Sequence, residues 1–236
     1  MRIAGLAAAV GTVLVLTVPA VLEVTVSPGI AFADAPTDPR PVRAVVLVDE
    51  SGSLRDADVA AERNAAALIA QSEFSPKSEL AVVGFGSANR SGQRPVDIVC
   101  PLTQVDSQLN RDSLAKCVQG LHRRTTDEGN DTDFANALIA GLAVLGDADT
   151  GQQKMIFLLT DGQLDVSNSP SWGSTPVARM AAAADQIHRD LATAAARQIQ
   201  VWPLGFGDPA QINRTQLDQF AAGGSQAVCR PSRPRG

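Results

Sequence analysis

The sequence predicts an α/β fold, an open, mostly parallel sheet of about six strands with one antiparallel edge strand and helices on both faces. Three observations lead there. Short, almost wholly apolar runs such as Ala44-Val45-Val46-Leu47-Val48 and Met155-Ile156-Phe157-Leu158-Leu159 read as strands buried on both faces. Stretches with apolar residues at helical spacing separate them. The runs stop at polar turns, Asp49-Glu50-Ser51-Gly52-Ser53 and Asp161-Gly162.

In chain order, Arg43–Asp49 is the first strand. Residues 56–71 are Ala-rich and read as a helix whose apolar period alanine blurs. Glu79–Gly86 is the second strand. Val96-Asp97-Ile98-Val99-Cys100 alternates apolar and polar residues, as a half-exposed antiparallel edge strand does. Leu114, Cys117, Val118 and Leu121 fall on one helix face, and Phe134, Ala137, Leu138, Gly141, Leu142 and Leu145 repeat that spacing more cleanly. Lys154–Thr160 is another buried strand. Residues 177–197 form a long helix with Met180, Ala184, Ile187 and Leu191 inward. Residues 200–207 give a late strand, 213–222 a short helix and Gln226-Ala227-Val228 a last strand. Pro203 fits poorly, since it has no N–H for a ladder; a bulge, or a nitrogen on an unpaired side, would accommodate it.

The chain has 236 residues. Residues 1–33 have the layout of a secretory signal: Met1-Arg2, an apolar run from Ile3 to Leu22, and Ala31-Phe32-Ala33 before Asp34. The run is long enough that an uncleaved membrane anchor stays open. Residues 34–42 read as a linker, 43–229 as one domain, and the Arg- and Pro-rich 230–236 as a disordered basic tail. Either treatment of the N-terminus places the domain outside the cytoplasm, secreted or at the cell surface, and any membrane contact in that segment alone. A net charge of −5 and a pI near 5.0 argue against nucleic acid as a partner. Of three cysteines, Cys100 and Cys117 bracket sixteen residues and are the expected disulfide, with three free thiols as the open alternative. Cys229 is left over.

Asp49, Ser51 and Ser53 stand at i, i+2 and i+4 where a buried strand ends. Gly52 allows the tight bend that aims them at one point. A carboxylate and two hydroxyls suit a small hard cation. In an open parallel sheet, groups beyond the carboxyl ends of the strands meet at one edge. Asp161 and Thr132, at the start of the Phe134 helix, can therefore join them.

This set, Asp49-x-Ser51-x-Ser53 with Thr132 opening a helix and Asp161-Gly162 closing a strand, resembles the von Willebrand factor A (vWA) domain and its metal-ion-dependent adhesion site. The resemblance covers about residues 42–229. It implies a Rossmann-like sheet, metal ligation by Asp49, Ser51, Ser53, Thr132 and Asp161, directly or through water, and Mg²⁺ or Mn²⁺ as the cofactor, with Ca²⁺ also open. Only two carboxylates would face the ion. It would keep a position for an Asp or Glu carboxylate of a protein ligand, a natural hot spot.

Asp133 is expected to orient a ligand by hydrogen bonding, and Gln163 and Asp165 to lie on the rim. Trp172 is either a binding anchor on that rim or folds back on the domain. The acidic loop 127–131 reads as solvated, or as holding a second cation. Each site residue also has a plainer use. Ser51 and Ser53 could cap the helix near Asp56, and Thr132 or Asp131 the next one. An enzyme is not expected: His122 and His188 lack a catalytic context, and no Gly-x-Ser-x-Gly elbow or P-loop occurs. The reading is of an extracytoplasmic, metal-dependent adhesion or assembly module. A scaffold or chaperone subunit of an envelope or chelatase-like complex is the alternative, and a metal-dependent hydrolase ranks behind both.

Overall fold

A computed structural model of the chain describes residues 40–223 except 73, 74, 149, 208, 209 and 211. The chain divides into two units, Met1–Thr37 and Asp38–Gly236, and the described residues belong to the second. The signal segment, most of the linker, the expected strand at 226–228, Cys229 and the basic tail lie outside the described residues.

Strands β1 (Val42–Asp49), β2 (Glu79–Phe85), β3 (Val96–Gln104), β4 (Gln153–Thr160) and β5 (Gln200–Gly205) form one sheet in the order β3-β2-β1-β4-β5. All neighbours are parallel except β2 and β3. This is the expected architecture, with five strands among the described residues.

Helices α1 (Asp56–Gln71), α2 (Gln108–Cys117), α3 (Phe134–Leu145), α4 (Pro176–Ala196) and α5 (Arg214–Gly223) cover the sheet. On one face Val45, Leu47, Phe85, Ile156 and Leu158 pack against Phe134, Leu138, Ile187, Leu191 and Phe220 of α3, α4 and α5. On the other, Val46, Val48, Val82 and Leu159 pack against Ala66, Ala70 and Leu114 of α1 and α2. Strands buried from both sides must be apolar at every position, which is why β1 carries no alternation.

Several expectations are refined. The turn after α2 tightens into a 3₁₀ segment, Val118–Gly120, with Leu114, Val118 and Leu121 buried. The inward stripe of α4 is Ala183, Ile187, Leu191 and Ala194, leaving Met180 and Ala184 half-buried. Pro203 pairs with Leu158 in β5 without interrupting the ladder. Phe206 N–H donates to Thr160. In a parallel strand the amides alternate sides, so the Pro203 nitrogen falls on the side away from β4.

Cys100 and Cys117 form the expected disulfide, with Cα atoms 5.9 Å apart, fastening β3 to the end of α2. Replacing both by Ala should destabilise the domain by about 3 kcal/mol through the lost loop closure. A lowered denaturant midpoint, with a slope at least as steep as wild type because the freed unfolded chain is more open, would show it; an unchanged midpoint would count against the bond.

Candidate metal centre

The carboxyl ends of β1 and β4 carry the site. The chain leaves β1 toward β2 on one side and meets β4 on the other, so this is the switch point of the sheet, where open α/β folds place ligands. Asp49 is the last residue of β1 and is buried. One of its oxygens accepts from Ser51 N–H (2.9 Å) and the other from the Thr160 hydroxyl (2.6 Å). Ser53 donates to Asp161 (2.7 Å) and lies 3.0 Å from the Ser51 hydroxyl. The single Ser53 proton goes to Asp161, so Ser51 donates to Ser53. Asp49, Ser51, Ser53 and Asp161 thus converge in one hydrogen-bonded chain.

Thr132 joins from the other side. Its N–H and C=O exchange two 3.0 Å hydrogen bonds with Asp165. Gly52 N–H donates to Asn130 C=O at 2.7 Å, pinning the serine turn to the same loop. Gly52, Ser53, Asn130, Asp131, Thr132, Gln163 and Asp165 line one cavity of about 260 Å³. A wider cavity, about 750 Å³, lies at the opposite edge around Arg40, Lys154 and Gln200 and has none of this hydroxyl–carboxylate pattern. Gly52 does not have a positive φ. Its need for glycine is close approach: a Cβ would lie 2.6 Å from the Asn130 side-chain nitrogen.

The plainer capping roles fall elsewhere. Helix α1 has Arg55 at its N-cap, with Asp58 accepting from the Arg55 amide, and α3 is capped by Asp133, which accepts from Asn136 N–H. The serine hydroxyls and Thr132 are therefore not the caps. Asp133, expected to orient a metal ligand, also accepts from Asn136 Nδ2 and from Trp172 Nε1 at 2.8 Å. Trp172 folds back: it is half-buried and packs against the core. Gln163 N–H reaches Asp161 at 3.4 Å. The acidic loop is knitted to its surroundings, with Asp127 on Arg90, Glu128 on His122 and Thr125, and Asp131 on Asn89 and Asn168.

Burial, with the charge of Asp161 adding to it, pushes the Asp49 pKa from 3.8 to about 7, against the bonds from Thr160 and Ser51. The folded state therefore holds this proton more tightly than the unfolded chain. The contribution to stability is complete below about pH 4 and is lost as pH rises through about 7. The metal-free protein should melt lower at pH 7.5 than at pH 5, and Asp49→Asn should flatten part of that slope. A wild-type slope in the variant would assign it to other groups.

Among the described residues no three His, Cys, Asp or Glu side chains converge as metal ligands. The donor set here is different in kind, two carboxylates and three hydroxyls, and its chemistry fits a hard divalent cation. Several supporting residues escaped the sequence reading. Thr160 orients Asp49. Glu50 and Arg124 form a buried ion pair beside the serine turn (3.1 Å). Glu62 of α1 is fully buried alongside Val59 and Ala66.

A doubly covered open sheet with hydroxyls and carboxylates gathered at its switch point defines an α/β domain with a candidate cation site. A von Willebrand factor type A domain model matches residues 44–163, half of the chain, and the chain belongs to that family. Domains of this family commonly mediate protein interactions. Solved structures agree on the fold. The conserved hypothetical protein BatB from Bacteroides thetaiotaomicron aligns with TM-score 0.53 and 14% identity over 78% of this chain and 86% of its own. An aerotolerance-related membrane protein from Bacteroides fragilis gives 0.54 and 14%, over 78% and 88%. Proximal thread matrix protein 1 from the mussel byssus gives 0.52 and 18%, over 78% and 42%. No curated protein matches the chain. Among the described residues no helix is long and apolar enough to cross a membrane.

Proposed function

We propose that the domain is an extracytoplasmic protein-binding module, used in adhesion or assembly, that grips a partner's Asp or Glu carboxylate through a divalent cation. The observation that carries this is the hydrogen-bonded chain Asp49–Ser51–Ser53–Asp161 beside the Thr132 cavity. Asp49, Ser51, Ser53, Thr132 and Asp161 would hold Mg²⁺ or Mn²⁺, with Ca²⁺ the third choice. When bound, the ion supplies positive charge and an exchangeable position for the incoming carboxylate. Ser51, Ser53 and Thr132 contribute oxygens without charge, so only two carboxylates offset the dication, and a carboxylate acting through water leaves it electrophilic. Gln163 and Asp165 line the same cavity and would meet the partner's flanking residues.

The Cys100–Cys117 disulfide and the N-terminal apolar run support an oxidising compartment. A binder is favoured over an enzyme because the serine hydroxyls are engaged with one another and with Asp161. The histidines stand apart from them, His122 on Glu128 and His188 on the exposed face of α4.

The test is calorimetric titration of Mg²⁺ and Mn²⁺ into EDTA-treated protein, followed by capture of envelope proteins in Mg²⁺ and in EDTA. Saturable heat with capture only in Mg²⁺ is expected. Capture undiminished by EDTA would sink the bridging role.

A further inference from the structure

Glu62 is a carboxyl group that the proposed chemistry leaves unused. It lies on α1 between Val59 and Ala66, on the helix face buried against the sheet. Its exposure is 0%, and neither carboxyl oxygen has a hydrogen-bond partner among the described residues. An unsatisfied buried acid is among the most unfavourable groups a core can hold. The groups whose charges bear on it most are all acidic: Asp49 first, then Asp161, Asp58 and Glu50. Burial above all, with these charges adding to it, pushes its pKa up to about 10. Asp58 is one turn before it on α1, and a Cβ placed on Gly207 would lie 4.0 Å from both Asp58 and Asp161, so this stretch of α1 runs beside Asp161. Glu62 thus sits one helical turn from the part of α1 that flanks Asp161, with no hydrogen-bond donor to its two oxygens among the described residues.

We infer that Glu62 is a third acid of the metal centre, one that releases its proton to solvent when the cation binds and then, as a carboxylate, anchors the cation's hydration shell from inside the domain. This rests on the proposed cation site. The contact is through metal-bound water, because no three acidic side chains converge closely enough to ligate one ion directly. A cation and its waters would give the Glu62 oxygens the donors they lack. The acid would in turn raise cation affinity, as carboxylates behind the direct ligands do in other metal sites. Glu62 is thus a positioning residue, one that destabilises the metal-free domain and strengthens the loaded one.

The test uses Glu62→Gln and Glu62→Leu in the full chain, with Mn²⁺ binding followed by electron paramagnetic resonance and melting followed in EDTA and in saturating Mn²⁺. Both variants should bind Mn²⁺ about 10–100-fold more weakly. Glu62→Leu should melt higher than wild type in EDTA, and its advantage should shrink or reverse in Mn²⁺, because wild type gains more from binding. A purely structural role for Glu62 would instead lower melting in EDTA and leave affinity unchanged. Wild-type affinity in both variants, with Asp49→Ala silent, would overturn this inference and leave the proposed function standing. Failure of wild type itself to bind Mn²⁺ would overturn both.

Discussion

Asp49→Ala is expected to abolish saturable Mg²⁺ and Mn²⁺ binding, a loss on the order of 100-fold or more, while the domain stays folded. Asp49 is the carboxylate at the end of β1 and makes no part of either apolar cluster. Its removal leaves the Ser51 amide and the Thr160 hydroxyl without their acceptor, at a cost of about 1–3 kcal/mol. That is within the margin of an ordinary domain. Asp49→Asn keeps the shape and one acceptor oxygen but loses the charge, so it should bind nearly as poorly. Ser53→Ala removes an uncharged donor and should lose less. Calorimetry ranks the three; wild-type heat in Asp49→Ala would remove Asp49 from the centre.

Arg124→Met is expected to give the largest loss of stability, about 3–5 kcal/mol, or roughly 6–20 °C in melting temperature. Arg124 is 4% exposed and Glu50 2%. The guanidinium donates to Glu50 (3.1 Å), Asp97 (3.1 Å) and the Arg94 carbonyl (2.5 Å), and the Arg124 amide donates to the Glu50 carbonyl (2.7 Å). Burial raises the Glu50 pKa even with this partner in place. Without it, a buried carboxyl would retain the His122 amide at 3.0 Å as its hydrogen-bond donor and the His122 ring at 3.9 Å. Gly84 records how tightly the pair is packed, since a Cβ there would collide with the Glu50 carboxyl. Arg124→Lys should not rescue, because one ammonium cannot reach three separate acceptors in the guanidinium's fork geometry. Glu50→Gln combined with Arg124→Met should recover part of the loss. Thermal melts in excess EDTA decide it, and a shift under 2 °C would show that the pair contributes little.

The sheet was legible because burial on both faces leaves a direct mark, uninterrupted apolar runs of strand length. Asp49, Ser51, Ser53 and Asp161 were legible for a related reason: strand ends gather at one edge, so residues 108 positions apart become neighbours by topology alone. Side-chain partners chosen across loops were not. Nothing in the spacing of Glu50 and Arg124 announces a pair separated by 74 residues. Trp172 could face solvent or the domain by its position in the loop, and what turns it inward is a distant acceptor, Asp133. Glu62 did leave a signal, a carboxylate within the buried stripe Val59, Ala66, Ala70, but alanine on the neighbouring turns hid the stripe. On α4 Ile187, Leu191 and Met180 face the core as expected, and only Ala184 gives way to its neighbour Ala183, since a run of alanines lets that turn be drawn in more than one way.

The register of β1 has a mechanical consequence. It is paired on both sides, with β2 from Arg43 to Asp49 and with β4 from Val42 to Val48. Its last residue is the first of the candidate site. Tension on a partner held there would enter the sheet at Asp49 and run along the axis of the middle strand. The rungs on both sides would then be sheared together instead of opening one after another, as they would if an edge strand were peeled away. A grip seated at that point would put a strand paired on both sides directly in line with the pull.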